Sequence, residues 1–190
     1  MDASTRGPAA LVADLIEGYR PATRREADDV ERVRALLAGP DGGDPWLRGN
    51  ALHLTGSALV VHPGTGRVLL RWHERLGTWL QVGGHGDPGE VDPLAVAVRE
   101  AVEETGLTDV EPWPDGALRH VVVVPVPASA KEPVHEHADL RFLLSTGTPE
   151  AVRAENERAP LRWASPREAA ALTASADLRE TLARVVALLG

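Results

Sequence analysis

The segment 83–107 constrains the fold most, because it joins a glycine-rich loop to an acidic helix. It reads GGHGDPGEVDPLAVAVREAVEETGL. Asp92 and Pro93 offer an N-cap and a first-turn proline, and Gly106 offers a C-terminal stop, so we expect a helix between them. At about 100° per residue, one face of this helix is apolar and is predicted to pack on a sheet; it holds Leu94, Ala97, Val98 and Ala101.

The other side of this helix carries Glu100, Glu103 and Glu104 at i, i+3 and i+4 spacing. Like charges at these spacings destabilise a helix by about 0.2–0.5 kcal/mol per pair, and acids near a helix C-terminus oppose the macrodipole. A solvated acidic face is the ordinary explanation, and a bound divalent cation is the alternative. Because the donors would all be oxygens, Mg²⁺ or Mn²⁺ is favoured over zinc.

Composition narrows the chemistry further. The 190-residue chain has no cysteine, which excludes thiol nucleophiles, cysteine-bound zinc, iron–sulfur clusters and disulfides. Its single lysine does not stand in a Gly-Lys-Ser/Thr sequence, so there is no P-loop. A net charge of −8 argues against general electrostatic binding of nucleic acid.

Hydrophobic periodicity predicts an α/β fold with an appended N-terminus. Residues 8–18 and 23–38 have helical spacing and 41–45 is a turn-rich linker, so 1–50 is interpreted as a helical extension and linker. Further helices are expected at 92–104, from 165 onwards and at 176–189. Strands are expected at 52–61, 67–72, 78–82, 118–127, 138–145 and 161–163. This order predicts a sheet covered by helices over 51–190.

The run R-E-x-x-E-E-x-G at 99–106 is too specific for chance. Its five fixed positions, at roughly 1 in 15 each, occur together in a chain of this length with a probability on the order of 10⁻⁴. The run resembles the signature of the Nudix hydrolase family, and the chain matches that signature at Gly84, Glu90, Arg99, Glu100, Ala101, Glu103, Glu104, Gly106 and Leu107. Eight residues, where the signature has seven, separate Glu90 from Arg99, and we expect the extra residue to be absorbed around 91–93.

The resemblance implies a Nudix-type α/β/α sandwich with a mixed sheet over 51–190. It also implies an enzyme that uses Mg²⁺ or Mn²⁺ to hydrolyse a diphosphate linkage in a nucleoside diphosphate joined to another group. By the matching positions, the metal ligands would be Glu100, Glu104 and the carbonyl of Gly84. Glu103 would be either a third ligand or the base that takes a proton from water.

Two other catalytic assignments follow from the resemblance. Arg99 is expected to hold Glu90 or Glu103 in its rotamer. Nudix enzymes often draw a further glutamate from a late loop, where this chain has Glu155 and Glu157. We take Glu157 as the catalytic candidate.

The segment H-x-H-x-D-x-R at 135–141 alternates with period two, so its polar residues would share one face of a strand. A second metal site, a phosphate-contacting cluster and a polar strand edge all remain open. A subgroup of Nudix proteins is similar in having GGH in the loop and an H-x-H-x-D segment. The candidates for a substrate or second site are His85, Glu90, His135, His137 and Asp139.

The alternative function is a catalytically silent Nudix-fold module that senses a nucleotide or sugar diphosphate. The complete glutamate triplet favours the enzyme, whereas the extra residue after Glu90 favours the module. The expected partner is a small-molecule nucleoside diphosphate derivative, without nucleic acid or membrane, and a homodimer is left open. With no apolar span or signal peptide evident, we expect a cytoplasmic protein.

Overall fold

The computed structural model describes residues 7, 9–39, 44–129 and 132–189, so most of the predicted linker 41–45 lies outside the described residues. The helices are α1 (Ala10–Gly18), α2 (Arg24–Leu37), α3 (Pro93–Thr105), α4 (Pro166–Leu172) and α5 (Ala176–Leu189). The strands are β1 (Leu52–His62), β2 (Arg67–His73), β3 (Thr78–Leu80), β4 (Val82–His85), β5 (Glu111–Pro112), β6 (His120–Val126), β7 (His135–Ser145) and β8 (Leu161–Ala164). No described helix is both long and apolar enough to cross a membrane.

The strands form one mixed sheet in which β1 is central. The main order is β3-β2-β1-β7-β5, and β4, β6 and β8 pair with β1, β7 and β2 respectively. β1 runs parallel to β7 and antiparallel to β2 and β4. The predicted α/β/α sandwich with a mixed sheet is confirmed.

The two faces of β1 pack against different helices. Leu54, Ala58 and Val60 share a buried cluster with α3, whereas Leu59 and Val61 share one with α5. Gly56 lets α3 approach closely, because a Cβ there would lie 2.6 Å from the Pro93 carbonyl oxygen. The helix therefore rests directly on the centre of the sheet.

This close approach shifts the buried face of α3 from the one that periodicity indicates. Val96 is fully buried beside Ala97 and Ala101, whereas Leu94 and Val98 are half-buried. Val96 lies over Gly56, because its Cβ is 3.1 Å from the position that a Cβ added to Gly56 would take. Val96 lies outside the apolar face that periodicity predicts, and the missing side chain of Gly56 leaves the space in which it is buried.

The N-terminal helices fold onto the same sheet. α2 packs against β6, and its Val30 and Val33 belong to the buried cluster that contains Val121. Glu26 of α2 is buried and accepts hydrogen bonds from Arg184 of α5 at 2.8 and 2.9 Å and from the Tyr19 hydroxyl. The extension is therefore tied to the last helix of the chain.

Replacing Glu26 with glutamine is expected to lower the free energy of unfolding at pH 7 by about 2 kcal/mol. Loss of one partner of a buried ion pair costs about 3–5 kcal/mol, and we lower this because the Arg184 side chain is 21% exposed. Burial raises the pKa of Glu26, but hydrogen bonds from Arg184 and Tyr19 bring it down from 4.5 to about 2. A depressed folded-state pKa stabilises the protein above pH 4.5, and this contribution is lost as the pH falls towards 2.

Urea unfolding across this pH range provides the measurement, and the Glu26→Gln variant should lose this part of the acid dependence. Glu31→Gln is the matched control, because Glu31 is an exposed acid of α2 that pairs with Arg34 on the surface. Its effect should stay below about 0.5 kcal/mol. Equal losses of stability in the two variants would contradict a stabilising role for the buried ion pair between Glu26 and Arg184.

Candidate functional site

The capped helix α3 presents its glutamates to the glycines of β4. The Asp92 side chain accepts a hydrogen bond from the backbone N–H of Leu94 at 2.9 Å, and Gly106 ends the helix in a left-handed conformation at φ 67°. Glu100 and Glu104 are then one turn apart on the same side. Both meet the consecutive residues 83 and 84 of β4.

The contacts with β4 leave no space for a side chain at position 84. The backbone N–H of Gly83 donates to Glu104 Oε2 at 3.1 Å. A Cβ on Gly84 would lie 2.5 Å from Glu100 Oε1, which is closer than real Cβ atoms approach other atoms. The glycine pair thus lets two carboxylates lie against the strand.

These two carboxylates are poorly solvated. The side chains of Glu100 and Glu104 are 15% and 13% exposed. Burial raises the pKa of Glu100, and it raises the pKa of Glu104 to about 7, although Arg71 lies 3.2 Å from Glu104 Oε1. Two desolvated acids one turn apart favour a further positive charge.

Arg99 connects the glycine-rich loop to the acidic helix. Its guanidinium donates to Glu90 at 3.0 Å, to Glu100 at 3.1 Å, to Glu103 at 3.0 Å and to the carbonyl of His85 at 2.8 Å. The hydrogen bond from Arg99 lowers the pKa of Glu90. Arg99 therefore contacts both Glu90 and Glu103, the two glutamates that the family resemblance suggested as its partners.

The extra residue of the signature is accommodated before the helix. The loop turns at Asp87, whose carbonyl accepts the N–H of Glu90 at 2.9 Å and whose own N–H donates to the Glu90 carboxylate at 2.7 Å. Residues 91 and 92 then lead into α3 at Pro93. Glu90 reaches Arg99 in spite of the longer spacing.

The site fits Mg²⁺ or Mn²⁺ in the nature of its donors. They are carboxylate and carbonyl oxygens, which these ions prefer. Glu103 differs from its neighbours because its side chain is 56% exposed and contacts Arg99. In the part of the chain that the structure describes, the α3 carboxylates do not form a group of three with oxygens within 4.8 Å of one another.

The late loop brings Glu155 towards this site. Arg71 of β2 contacts Glu155 at 3.0 Å while it also contacts Glu104, so one guanidinium joins both acids. Glu157 is exposed, and no hydrogen bond or ion pair to it is found within the described ranges. Sequence analysis missed Arg71, whose signal was a charged residue that follows the apolar run VLL inside the strand RVLLRW.

Four histidines gather on the sheet face opposite α3. One ring nitrogen from each of His53, His85 and His137 lies within 4.8 Å of the other two. His135 joins them, with its Nε2 3.1 Å from Nε2 of His137. Burial lowers the pKa of His53, that of His85 to about 4 and that of His137 to about 3.

No pattern in the sequence indicated that His53 belongs to a site. It reaches the cluster because β1 and β7 pair in parallel with His53 opposite His137, while Thr55 of β1 lies opposite His85 of β4. A single strand pattern carries no information about such a register. The predicted candidates His85, His135 and His137 are therefore together, and β1 supplies a fourth imidazole.

Asp139 is engaged separately from these imidazoles. Its carboxylate accepts hydrogen bonds from Thr55 at 3.1 Å, Ser57 at 2.9 Å, Gln81 at 3.3 Å and Arg141 at 2.8 Å. The side chain is 9% exposed. These contacts indicate that the Asp139 carboxylate links β1 and β7 to Gln81, which lies between β3 and β4.

A cavity of about 560 Å³ opens on the same face. It extends from the imidazoles along the backbone of Gly83 and Gly84, the residues whose other side meets the glutamates. Leu76 and Leu80 give it apolar walls. Gln81 also lines it, and Gln81 Oε1 is buried without a hydrogen-bond partner among the described residues.

The NUDIX domain family model matches residues 52–185. Among curated protein sequences there is no match.

Several solved structures share the fold. An Ap4A hydrolase from C. elegans has a TM-score of 0.56 at 20% identity, over 72% of this chain and 98% of that chain. A dihydroneopterin triphosphate pyrophosphohydrolase from E. coli has a TM-score of 0.57 at 20% identity, over 70% and 95%. A MutT protein from Bacillus halodurans has a TM-score of 0.50 at 22% identity, over 70% and 81%.

Proposed function

The chain belongs to the Nudix family, and from this premise we propose that it hydrolyses a pyrophosphate linkage in a small nucleoside diphosphate derivative with Mg²⁺ or Mn²⁺. The predicted enzyme class, a hydrolase acting on pyrophosphate bonds, is confirmed at the level of the family. One observation supports the proposed metal and the proposed diphosphate substrate: two desolvated carboxylates, Glu100 and Glu104, lie against the glycines of β4.

The residues of α3 and β4 have different roles in the proposed reaction. Glu100, Glu104 and the Gly84 carbonyl would hold the ion, which supplies charge neutralisation to the diphosphate and lowers the pKa of a bound water. Glu103 is exposed enough to meet a water, and we assign to it the role of base that accepts the proton. Arg99 is a positioning residue, because its 3.0 Å contact fixes the Glu103 carboxylate.

The cavity supports a nucleoside as the other half of the substrate. Its volume of about 560 Å³ lies within the ~300–1,000 Å³ of small-molecule pockets. The buried Gln81 Oε1 is an acceptor that an N–H of a base would satisfy. Two structural neighbours are named for Ap4A and for dihydroneopterin triphosphate, and both compounds carry polyphosphates on small organic groups. The role of Glu157 remains a prediction.

A substrate panel tests the proposal. Nucleoside di- and triphosphates, nucleotide sugars and dinucleoside polyphosphates are incubated with the protein, and the products are separated by ion-exchange chromatography. We expect metal-dependent release of a nucleoside monophosphate or of phosphate from at least one compound, with turnover lost in EDTA and restored by Mg²⁺ or Mn²⁺. Specific binding of a compound without its turnover would favour the silent module instead.

A further inference from the structure

The imidazole cluster has the spacing of a metal site. Zinc binds histidine nitrogen at about 2.0–2.1 Å in tetrahedral geometry, so two such ligand atoms stand roughly 3.3 Å apart. The Nε2 atoms of His53 and His85 are 3.1 Å apart. All three ligand atoms, including that of His137, lie within 4.8 Å of one another. Small rotations of the rings would close the set around one ion.

Backbone carbonyls already fix the tautomers that a metal requires. Nδ1 of His53 lies 3.1 Å from the Asn50 carbonyl oxygen, so it carries the proton and leaves Nε2 with its lone pair. Nδ1 of His135 likewise lies 2.9 Å from the Pro133 carbonyl oxygen. Metal-bound histidines almost always donate their second N–H to such an acceptor.

His135 in turn sets the tautomer of His137. Because His135 Nδ1 is a donor, its Nε2 accepts, and the facing Nε2 of His137 at 3.1 Å donates to it. His137 is then left with an unprotonated Nδ1. Two of the three ligands are in this way presented as neutral imidazoles with a free lone pair. Their low pKa values, which follow from burial, agree with neutral rings at pH 7.

We propose that His53, His85 and His137 bind one divalent transition-metal ion, with zinc as the best match, at a site separate from Glu100 and Glu104. Imidazole donors suit zinc and its neighbours, whereas Mg²⁺ prefers oxygen. The two sites lie on opposite faces of β4, since Gly84 meets Glu100 and the adjacent His85 meets His53. The two sites share no ligand residue.

The second ion would keep one coordination position for a ligand from the cavity. His85 and His137 line the cavity, whereas His53 is fully buried behind them. Three protein ligands and an open fourth position are typical of zinc sites that bind water or a substrate. Arg75 also lines the cavity and gives an anion in that position a cationic neighbour.

Titration of the metal-free protein with Zn²⁺ and Co²⁺ tests the proposal. Competition with a chromophoric chelator gives the zinc stoichiometry and affinity, and Co²⁺ absorption reports its ligands. We expect one tight zinc site, about 100-fold weaker in His137→Gln and in His85→Gln, where a ligand is lost. His135→Gln should weaken it by about 10-fold, as expected for a supporting contact. Inorganic phosphate should change the Co²⁺ spectrum of the wild type.

His62→Gln is the matched control, because His62 contacts Thr65 and lies outside the cluster; its zinc affinity should equal that of the wild type. Circular dichroism checks the fold, and His85→Gln is the safer variant because His85 is only half-buried. A zinc site that survives in both ligand variants would overturn the proposal. So would a zinc site removed by Glu100→Gln and not by the histidine variants, or a wild type that binds no zinc.

Discussion

Replacing Glu104 with glutamine is expected to lower kcat by about 10²–10³-fold. The amide keeps the size of the side chain and still accepts the Gly83 N–H, but it removes the negative charge that would hold the metal. A divalent ion contributes several kcal/mol of transition-state charge stabilisation, and each 1.4 kcal/mol is tenfold in rate. Initial rates on the substrate found in the panel, at saturating Mg²⁺, provide the measurement.

The fold should survive this change, because glutamine no longer imposes the cost of a desolvated carboxylate. The unfolding midpoint in urea should therefore equal or exceed that of the wild type. Glu111→Gln is the matched control, since Glu111 is an exposed acid in β5, and its kcat should be unchanged. Equal turnover by the wild type and Glu104→Gln would refute the assignment of the metal to α3.

Replacing Gly84 with alanine is expected to lower kcat by about 100-fold while the protein still folds. The new methyl group would lie 2.5 Å from Glu100 Oε1, so the carboxylate must move. The atom that yields is the far end of a flexible side chain, and the cost in stability should be small. A displacement of about 1 Å at a reacting centre can cost about 100-fold in rate.

Activity against Mg²⁺ concentration separates this effect from simple misfolding. Because the displaced ligand is Glu100, half-maximal activity should require more Mg²⁺ in Gly84→Ala. Gly18→Ala, at the end of α1, is the control, since nothing lies within 4 Å of its added methyl group. An unchanged Mg²⁺ dependence and kcat in Gly84→Ala would show that Glu100 and β4 do not form one site.

Much of the site could be predicted from the sequence because its information is local. The spacing of Glu100, Glu103 and Glu104 requires only the periodicity of one helix, and Asp92 and Gly106 mark its ends. The structure has this helix with these caps at both ends. Gly84 and Arg99 could be named because the segment resembles the family signature, and in the structure their contacts join the loop to the helix.

The remaining site residues could not be predicted because they depend on strand register. His53 reaches His85 only through the pairing of β1 with β4, and it reaches His137 only through the parallel pairing with β7. Arg71 meets Glu104 through a contact between β2 and α3, which no local sequence pattern specifies either. No pattern within one strand specifies which residue of another strand will lie opposite it.

The ion pair between Glu26 and Arg184 has a consequence for what counts as the smallest autonomous unit. The family match begins at residue 52 and ends at 185, so it contains the arginine but omits its acid. A fragment trimmed to the match would strip α2 from β6 and expose Val121 to water. The family match therefore covers less of the chain than the buried core does, because that core includes Val30 and Val33 of α2.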